Sequence, residues 1–318
     1  MRRNVMIRMA ALGAVAVSVL GACGSSSKTS STKKTVSTAA SRPTTSGSTT
    51  TAAATTAPSG PVDQKKPLGT NGLAVDGASI WVADWRGSQI LRVDRATGKI
   101  LARYGKTEGV TTSDDVIIGP DHAVYWSGLA SGSVGRIGTD GKVSVVAHVD
   151  PSVNPITFSK DGTLYVGRTE VGTGLYQIDR SGKIAPKLIA AGWDTNAFAF
   201  GPDGSLYGPK KGMNGAGAVD RVDVKTGVIT EVKTGFNYPV AVKFDKQGEL
   251  LVLSTQGATL QKLDVKTGAV TDVAKPATAI VDNFALAPDG TIYISSFTQN
   301  ILTVVKPDGT TSTITVGT

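Results

Sequence analysis

One short phrase recurs six times along this chain, and its spacing limits the fold more than any other feature. The first copy is Asn71-Gly72-Leu73-Ala74-Val75-Asp76-Gly77-Ala78-Ser79-Ile80-Trp81-Val82, which reads as a strand, a tight turn and a second strand. Later copies centre on Gly119-Pro120-Asp121, Ser159-Lys160-Asp161, Gly201-Pro202-Asp203, Asp245-Lys246-Gln247 and Ala287-Pro288-Asp289. Successive turns lie roughly 40 to 45 residues apart, the period of propeller blades. A second turn recurs inside each unit at Thr97-Gly98, Asp140-Gly141, Ser181-Gly182, Thr226-Gly227, Thr267-Gly268 and Asp308-Gly309, where glycine supplies the positive φ of a hairpin. Between turns, Val, Ile, Leu and aromatic residues alternate over short runs, and no helical pattern of useful length follows Leu20. The prediction is an all-β, six-bladed β-propeller with four strands per blade over residues 67–318. The blades are 69–107, 111–150, 152–191, 194–235, 237–276 and 280–318, with Val62 to Leu68 available as an extra outer strand.

The amino-terminal part of the sequence has another character. Arg2, Arg3 and Arg8 precede an apolar run from Ala10 to Leu20, too short to span a bilayer as a mature helix but suited to a signal peptide. The run ends in Leu20-Gly21-Ala22-Cys23, which resembles a bacterial lipobox, so residues 1–22 are expected to be a lipoprotein signal peptide and Cys23 the lipidated residue. It is the one cysteine in the chain, which excludes a disulfide framework or a thiolate metal cluster. Residues 23–66 are mostly Ser, Thr and Ala, too poor in large apolar groups to offset the entropy of ordering, and read as a disordered tether. Its reach as a flexible coil is on the order of 35 Å.

The net charge of +8 belongs to that same segment. Residues 1–66 hold 9 basic side chains and 1 acidic one, while the remainder carries 24 of each. The folded part is therefore neutral. A basic tail beside a lipid anchor favours an anionic membrane surface, and no basic stripe with interleaved aromatics points to nucleic acid.

In a propeller the residue just before the hydrophobic part of each innermost strand stands at one mouth of the central channel. Aligning the six units there gives Asn71, Asp114, Asn154, Asn196, Val240 and Asp282. Two readings of this ring stand. The side chains cap strand ends and bind channel water, or they form a hard oxygen set for Ca²⁺, with Asp114 and Asp282 as charged ligands and Asn71, Asn154 and Asn196 as neutral ones. Loops on the same face carry Trp85, Arg86, Arg168, Trp193, Lys210, Lys211, Tyr238 and Phe297 as candidate ligand contacts. For Trp85 and Trp193 the alternative is packing over a blade edge, and for Lys210 and Lys211 a solvated loop tip. The loop from Pro209 to Gly217 is expected to be the most mobile.

The first unit, with Asn71-Gly72-Leu73-Ala74-Val75-Asp76, Ile80-Trp81-Val82-Ala83 and Ile90-Leu91-Arg92-Val93-Asp94, resembles a blade of the SMP-30/gluconolactonase-like propellers, which share the architecture of NHL-repeat rings. That resemblance implies a Ca²⁺ held by the Asn or Asp of such phrases and, with it, lactone hydrolysis. Asn71 matches such a phrase fully; Asn154, Asn196 and Asp282 match in position, but Pro155, Ala197 and Asn283 replace the glycine. The amino-terminal Glu ligand of the family has no counterpart. The second unit, Gly135-Arg136-Ile137-Gly138-Thr139-Asp140-Gly141-Lys142-Val143, looks like a blade of the streptogramin lyases, which are seven-bladed and use histidine. Here His122 falls in a turn on the opposite face and His148 near the end of an outer strand, so the lyase chemistry is not expected. Two functions follow: a membrane-tethered, extracytoplasmic module that binds a small molecule, glycan or protein at the channel mouth, and alternatively a Ca²⁺-dependent hydrolase of the lactonase type with Asp282 or Asp114 as ligand or base.

Overall fold

The computed structural model describes residues 61–318. The expected signal peptide, Cys23 and most of the expected tether lie outside the described residues. Six four-stranded antiparallel sheets follow one another in sequence, each with its strands in chain order, which is the six-bladed propeller expected from the turn spacing. Among the described residues the helical content is a single 3-10 turn at Lys106–Glu108, and no helix is long and apolar enough to cross a membrane.

Packing explains why the ring holds. Each of the six apolar clusters joins adjacent blades, so every blade buries both faces against its neighbours. Leu73, Val82 and Leu91 of the first blade share one cluster with Tyr293, Leu302 and Val304 of the last, and this contact closes the circle. A fully buried side chain of this size contributes about 1.5 to 3 kcal/mol, so closure rests on apolar burial. Aromatic contacts recur in register. Tyr125, Tyr165 and Tyr207 on second strands meet Phe158, Phe200 and Phe244 of the following blade edge to face, at 5.0, 5.3 and 5.1 Å.

The two ends of the described chain form a clasp. Residues 61–72 contain no strand. The side-chain amide of Gln64 instead imitates a β-bridge, accepting from Ile100 N at 2.9 Å and donating to Ile100 O at 2.8 Å. Thr318 N donates to Gln64 O, and Gly317 N to Gly98 O. Arg103 donates to the carbonyls of Asp63 and Lys65. Composition places residues 62–66 in the tether; hydrogen bonding places them on the first blade.

Candidate functional site

In the second, third, fifth and sixth blades the innermost strand begins with a β-bulge, and the bulge builds the channel mouth. In the second blade Ser113 faces Gly128 and Val116 faces Trp126, so the inner strand advances three residues while its partner advances two. The same offset occurs between Val281 and Phe284 in the sixth blade and between Val153 and Ile156 in the third. A bulge leaves an extra residue unpaired and turns neighbouring side chains to one side. Asp114 and Asp115, Asn154 and Pro155, and Asp282 and Asn283 lie inside these offsets. The second-strand hydroxyls of Ser127 and Ser295 accept the N–H groups of Asp115 and Asn283, at 3.1 and 2.8 Å, satisfying donors that the ladder does not.

Two tiers of polar groups result. Asp114 and Asn71 are buried, Asp282 is half-buried, and Asn71 Nδ2 donates to Asp114 Oδ1 at 3.4 Å. Burial pushes the Asp114 carboxyl well up, and the charges of Asp282 and Asp115 push it further. Asp282 is pushed up to about 7, by burial first and then by the charge of Asp115; Lys211 and a hydrogen bond from Asn71 oppose the rise. The mouth thus holds two acids, from the second and sixth blades, that resist ionising together. Asn154 is half-buried, and Asn196 is buried with its Oδ1 accepting from Ala197 N at 2.9 Å. Val240 is buried and apolar, a gap in the ring.

The second tier was not read from the sequence. Asp115 Oδ1 accepts from Val116 N at 2.8 Å and from Asn283 Nδ2 at 2.9 Å, and the backbone N–H of Ile156 in the third blade also favours its ionised form. Asn283 belongs to the sixth blade, so this bond crosses in front of the first. It does so over Gly72, where an added Cβ would stand 2.4 Å from Asp115 Cα and 2.5 Å from its Oδ1. Asp115 is nonetheless pushed up to about 6, because burial outweighs Lys243 and these donors. Lys243, half-buried on the fifth inner strand, is in turn pulled down by burial and held up in part by Asp115. Its ammonium lies 5.9 Å from the Phe284 ring centre. Lysine in an otherwise apolar inner strand, Val240-Ala241-Val242-Lys243-Phe244, is a signal that sequence reading had available.

The candidate loop contacts divide. Trp85 and Phe297 stack on each other at 5.7 Å and 25° between the first and sixth blades, both half-buried. Arg86 is exposed, and Tyr238 is half-buried with φ 57°. The charge of Lys211 reaches both Asp114 and Asp282, and that of exposed Glu170 reaches Asp114. Other candidates are already engaged. Trp193 is 2% exposed and stacks on Phe198 within the core between the third and fourth blades, so packing is the reading that holds for it. Arg168 is buried, donating to Pro151 O and Asp150 Oδ2 at 3.0 and 3.1 Å. Lys210 pairs with Glu231 at 3.2 Å on an exposed strand end. The loop after Lys210 is tied down: Tyr238 N donates to Gly212 O, and Asn214 and Gln256 exchange two hydrogen bonds. His122 is exposed in the far turn, and His148 ends an outer strand with Ser133 as its neighbour.

The donor chemistry of the mouth suits a hard cation. Asp114, Asp282, Asn71, Asn154 and Asn196 offer carboxylate and amide oxygens, although Asp115 is spent on the second tier. Among the described residues no group of three His, Cys, Asp or Glu is arranged to hold a metal ion, so any cation here would rely on two carboxylates and the amides.

No protein-family profile and no curated protein matches this sequence. Solved structures do resemble the fold. Virginiamycin B lyase from Staphylococcus aureus aligns with TM-score 0.57 at 18% identity over 78% of this chain and 84% of its own. A gluconolactonase from Xanthomonas campestris aligns with TM-score 0.60 at 14% identity, over 73% and 84%. Regucalcin from Agrobacterium tumefaciens, a calcium-binding protein, aligns with TM-score 0.57 at 16% identity, over 73% and 83%. The resemblance to gluconolactonase-like propellers is thus borne out as a likeness of architecture, and at these identities it establishes the fold alone.

Proposed function

We propose that this protein is an extracytoplasmic binding propeller, anchored through a lipid on Cys23, that takes its ligand at the channel mouth and gains affinity from a cation or cationic group there. One observation carries the reading: Asp114 and Asp282, from blades on either side of the first, share one mouth in which each is pushed towards its protonated form. A positive ligand relieves that repulsion, and the amides of Asn71, Asn154 and Asn196 add neutral oxygens. The apolar run before Cys23 and the basic tether support the anchor.

Melting the full chain with Ca²⁺ and with chelator, beside Asp114→Asn and Asp282→Asn, tests the mouth. At a hundredfold excess over Kd, bound cation adds about 2.7 kcal/mol to stability, and either substitution should remove most of it. A wild type that does not respond to Ca²⁺, with Asp114→Asn neutral or stabilising, overturns the cationic part of the reading. Fractionation of Cys23→Ser tests the anchor. Release from membranes or failed processing is expected, and continued pelleting of the processed variant contradicts it.

A second reading, a lactone or ester hydrolase, is favoured by Asp282, which at about 7 exchanges its proton near neutrality. A bound Ca²⁺ supplies Lewis-acid polarisation of an ester carbonyl. Asp114 and the three asparagines would hold it, leaving Asp282 to hold or pass a proton at its accessible carboxyl. Lactone turnover that is lost in Asp282→Asn with the melting temperature preserved would select this reading.

A further inference from the structure

On the face opposite the mouth, a groove of about 510 Å³ lies between the second and third blades, lined by Asp121, Tyr125, Arg136, Ser144, Arg180 and Ser181 among others. Its construction is best seen against the corresponding place between the sixth and first blades. There the turn after the third strand of the first blade carries Arg95, which donates to Asp289 of the neighbouring blade at 3.3 Å. One guanidinium meets one carboxylate. At the position facing Asp289 on the third strand the sixth blade has Val304, paired with Tyr293, so no second cation competes.

Between the second and third blades the same positions are filled differently. Arg180 stands where Arg95 does, and Asp121 where Asp289 does. The second blade, however, also carries Arg136 opposite Tyr125 on its own third strand. Arg136 Nε reaches Asp121 Oδ2 at 3.0 Å, its Nη2 lies 3.0 Å from the same oxygen, and the Tyr125 hydroxyl donates to that oxygen at 3.0 Å. Asp121 is held below the ordinary carboxylate range, since the hydrogen bonds from Arg136 and Tyr125 outweigh the effect of burial. Arg180 is left with the Tyr125 hydroxyl at 3.5 Å and the face of Phe158 at 5.7 Å. It is a cation oriented by aromatic rings and, among the described residues, lacking a carboxylate partner.

The groove therefore holds two guanidiniums and one carboxylate, with the hydroxyl of Ser144 on its wall, while that of Ser181 already donates to Asp179 Oδ2 at 2.6 Å. Two guanidinium forks with one hydroxyl donor match a compact tetrahedral oxyanion. We propose that this groove is a second binding site, separate from the channel mouth, for a phosphate or sulfate group, with Arg180 as the residue that binds it and Arg136, fixed by Asp121, as its positioned neighbour. Asp121 sets the limit on charge, so the site takes one anionic group rather than a polyanion.

The test uses the full chain and inorganic phosphate and sulfate as probes, read by the NMR signals of the arginine guanidinium groups at constant ionic strength. The expected result is saturable binding by the wild type, weakened about tenfold or more in Arg180→Gln, the size of loss that follows a charge-assisted hydrogen bond. Arg95→Gln, which removes the balanced counterpart, should bind as the wild type does. Arg180→Lys should retain part of the affinity. Absence of saturable binding by both anions overturns the proposal, and so does binding that survives Arg180→Gln or fails equally in Arg95→Gln.

Discussion

Aspartate does opposite things at the two ends of one strand. In the sixth blade Asp282 stands at the mouth and is pushed up to about 7 by burial and the charge of Asp115. Asp289, just beyond the other end of Val281–Leu286, is pulled down by the backbone N–H and side chain of Thr291. The second blade repeats the contrast with Asp114 and Asp121. The backbone follows the same division. Of the non-glycine residues with positive φ, Ser88, Thr112, Ser152, Glu170, Asn214, Tyr238 and Ala258 lie in loops on the mouth face. The opposite face has His122 alone among the described residues and otherwise takes that conformation at turn glycines such as Gly77, Gly204 and Gly290. One face is built for local stability. The other holds unfavourable charge and backbone geometry that the ring imposes, the pattern associated with binding surfaces.

Substitutions at two glycines separate the faces most sharply. Gly72→Ala forces a Cβ to within 2.7 Å of Val116 N and closer still to Asp115, so the second tier must move. Overpacking of this kind costs about 3 kcal/mol, and denaturant unfolding should show that loss. Gly77→Ala meets no atom within 4 Å and pays only for its φ of 56°, about 1 kcal/mol. Equal losses at the two positions would mean that the tier over Gly72 is loose.

Asn283→Leu is the next largest effect expected. It removes the donor to Asp115 and leaves a buried carboxylate short of a partner, a loss of about 1 to 3 kcal/mol in the same assay. That loss should grow with pH, because the substituted protein has less to hold the ionised form. A loss that does not change with pH would assign Asn283 to packing. Ser152→Gly is the smallest and has the other sign. Its φ is 81° and no hydrogen bond engages its hydroxyl, so glycine should raise stability by up to about 1 kcal/mol while loosening the mouth loop. A destabilised Ser152→Gly would show that the loop is not strained.

The sequence carried the architecture because turn chemistry is local. Pro202-Asp203-Gly204 and Thr226-Gly227 can be recognised without knowing what they pack against, and repetition at a fixed interval does the rest. The ring was legible for a similar reason: Asp114 and Asp282 occupy a repeated position. Asp115 and Asn283 escaped because strict alternation along a strand would turn the residue after a channel group away from the channel. A bulge breaks that alternation, and nothing in Asp114-Asp115 or Asp282-Asn283 announces it. The packing of Trp193 and the engagement of Arg168 could not be read from the sequence for another reason, since whether a mouth-level side chain faces solvent or the next blade depends on packing between units far apart in sequence.

Stability against pH carries the sign of the mouth acids. A carboxyl whose folded value lies above its unfolded one binds more protons when folded, so stability falls as pH rises from about 4 towards the raised value of about 7. The turn aspartates act in another window, being lowered, and their contribution is lost as pH falls below about 4. The most direct measurement is the titration of the Asp282 carboxyl carbon by NMR in the full chain, with Asp282→Asn to assign the signal. The account predicts a midpoint near 7 that falls when Ca²⁺ is added. A midpoint in the ordinary range, about 4, unmoved by Ca²⁺, would contradict it.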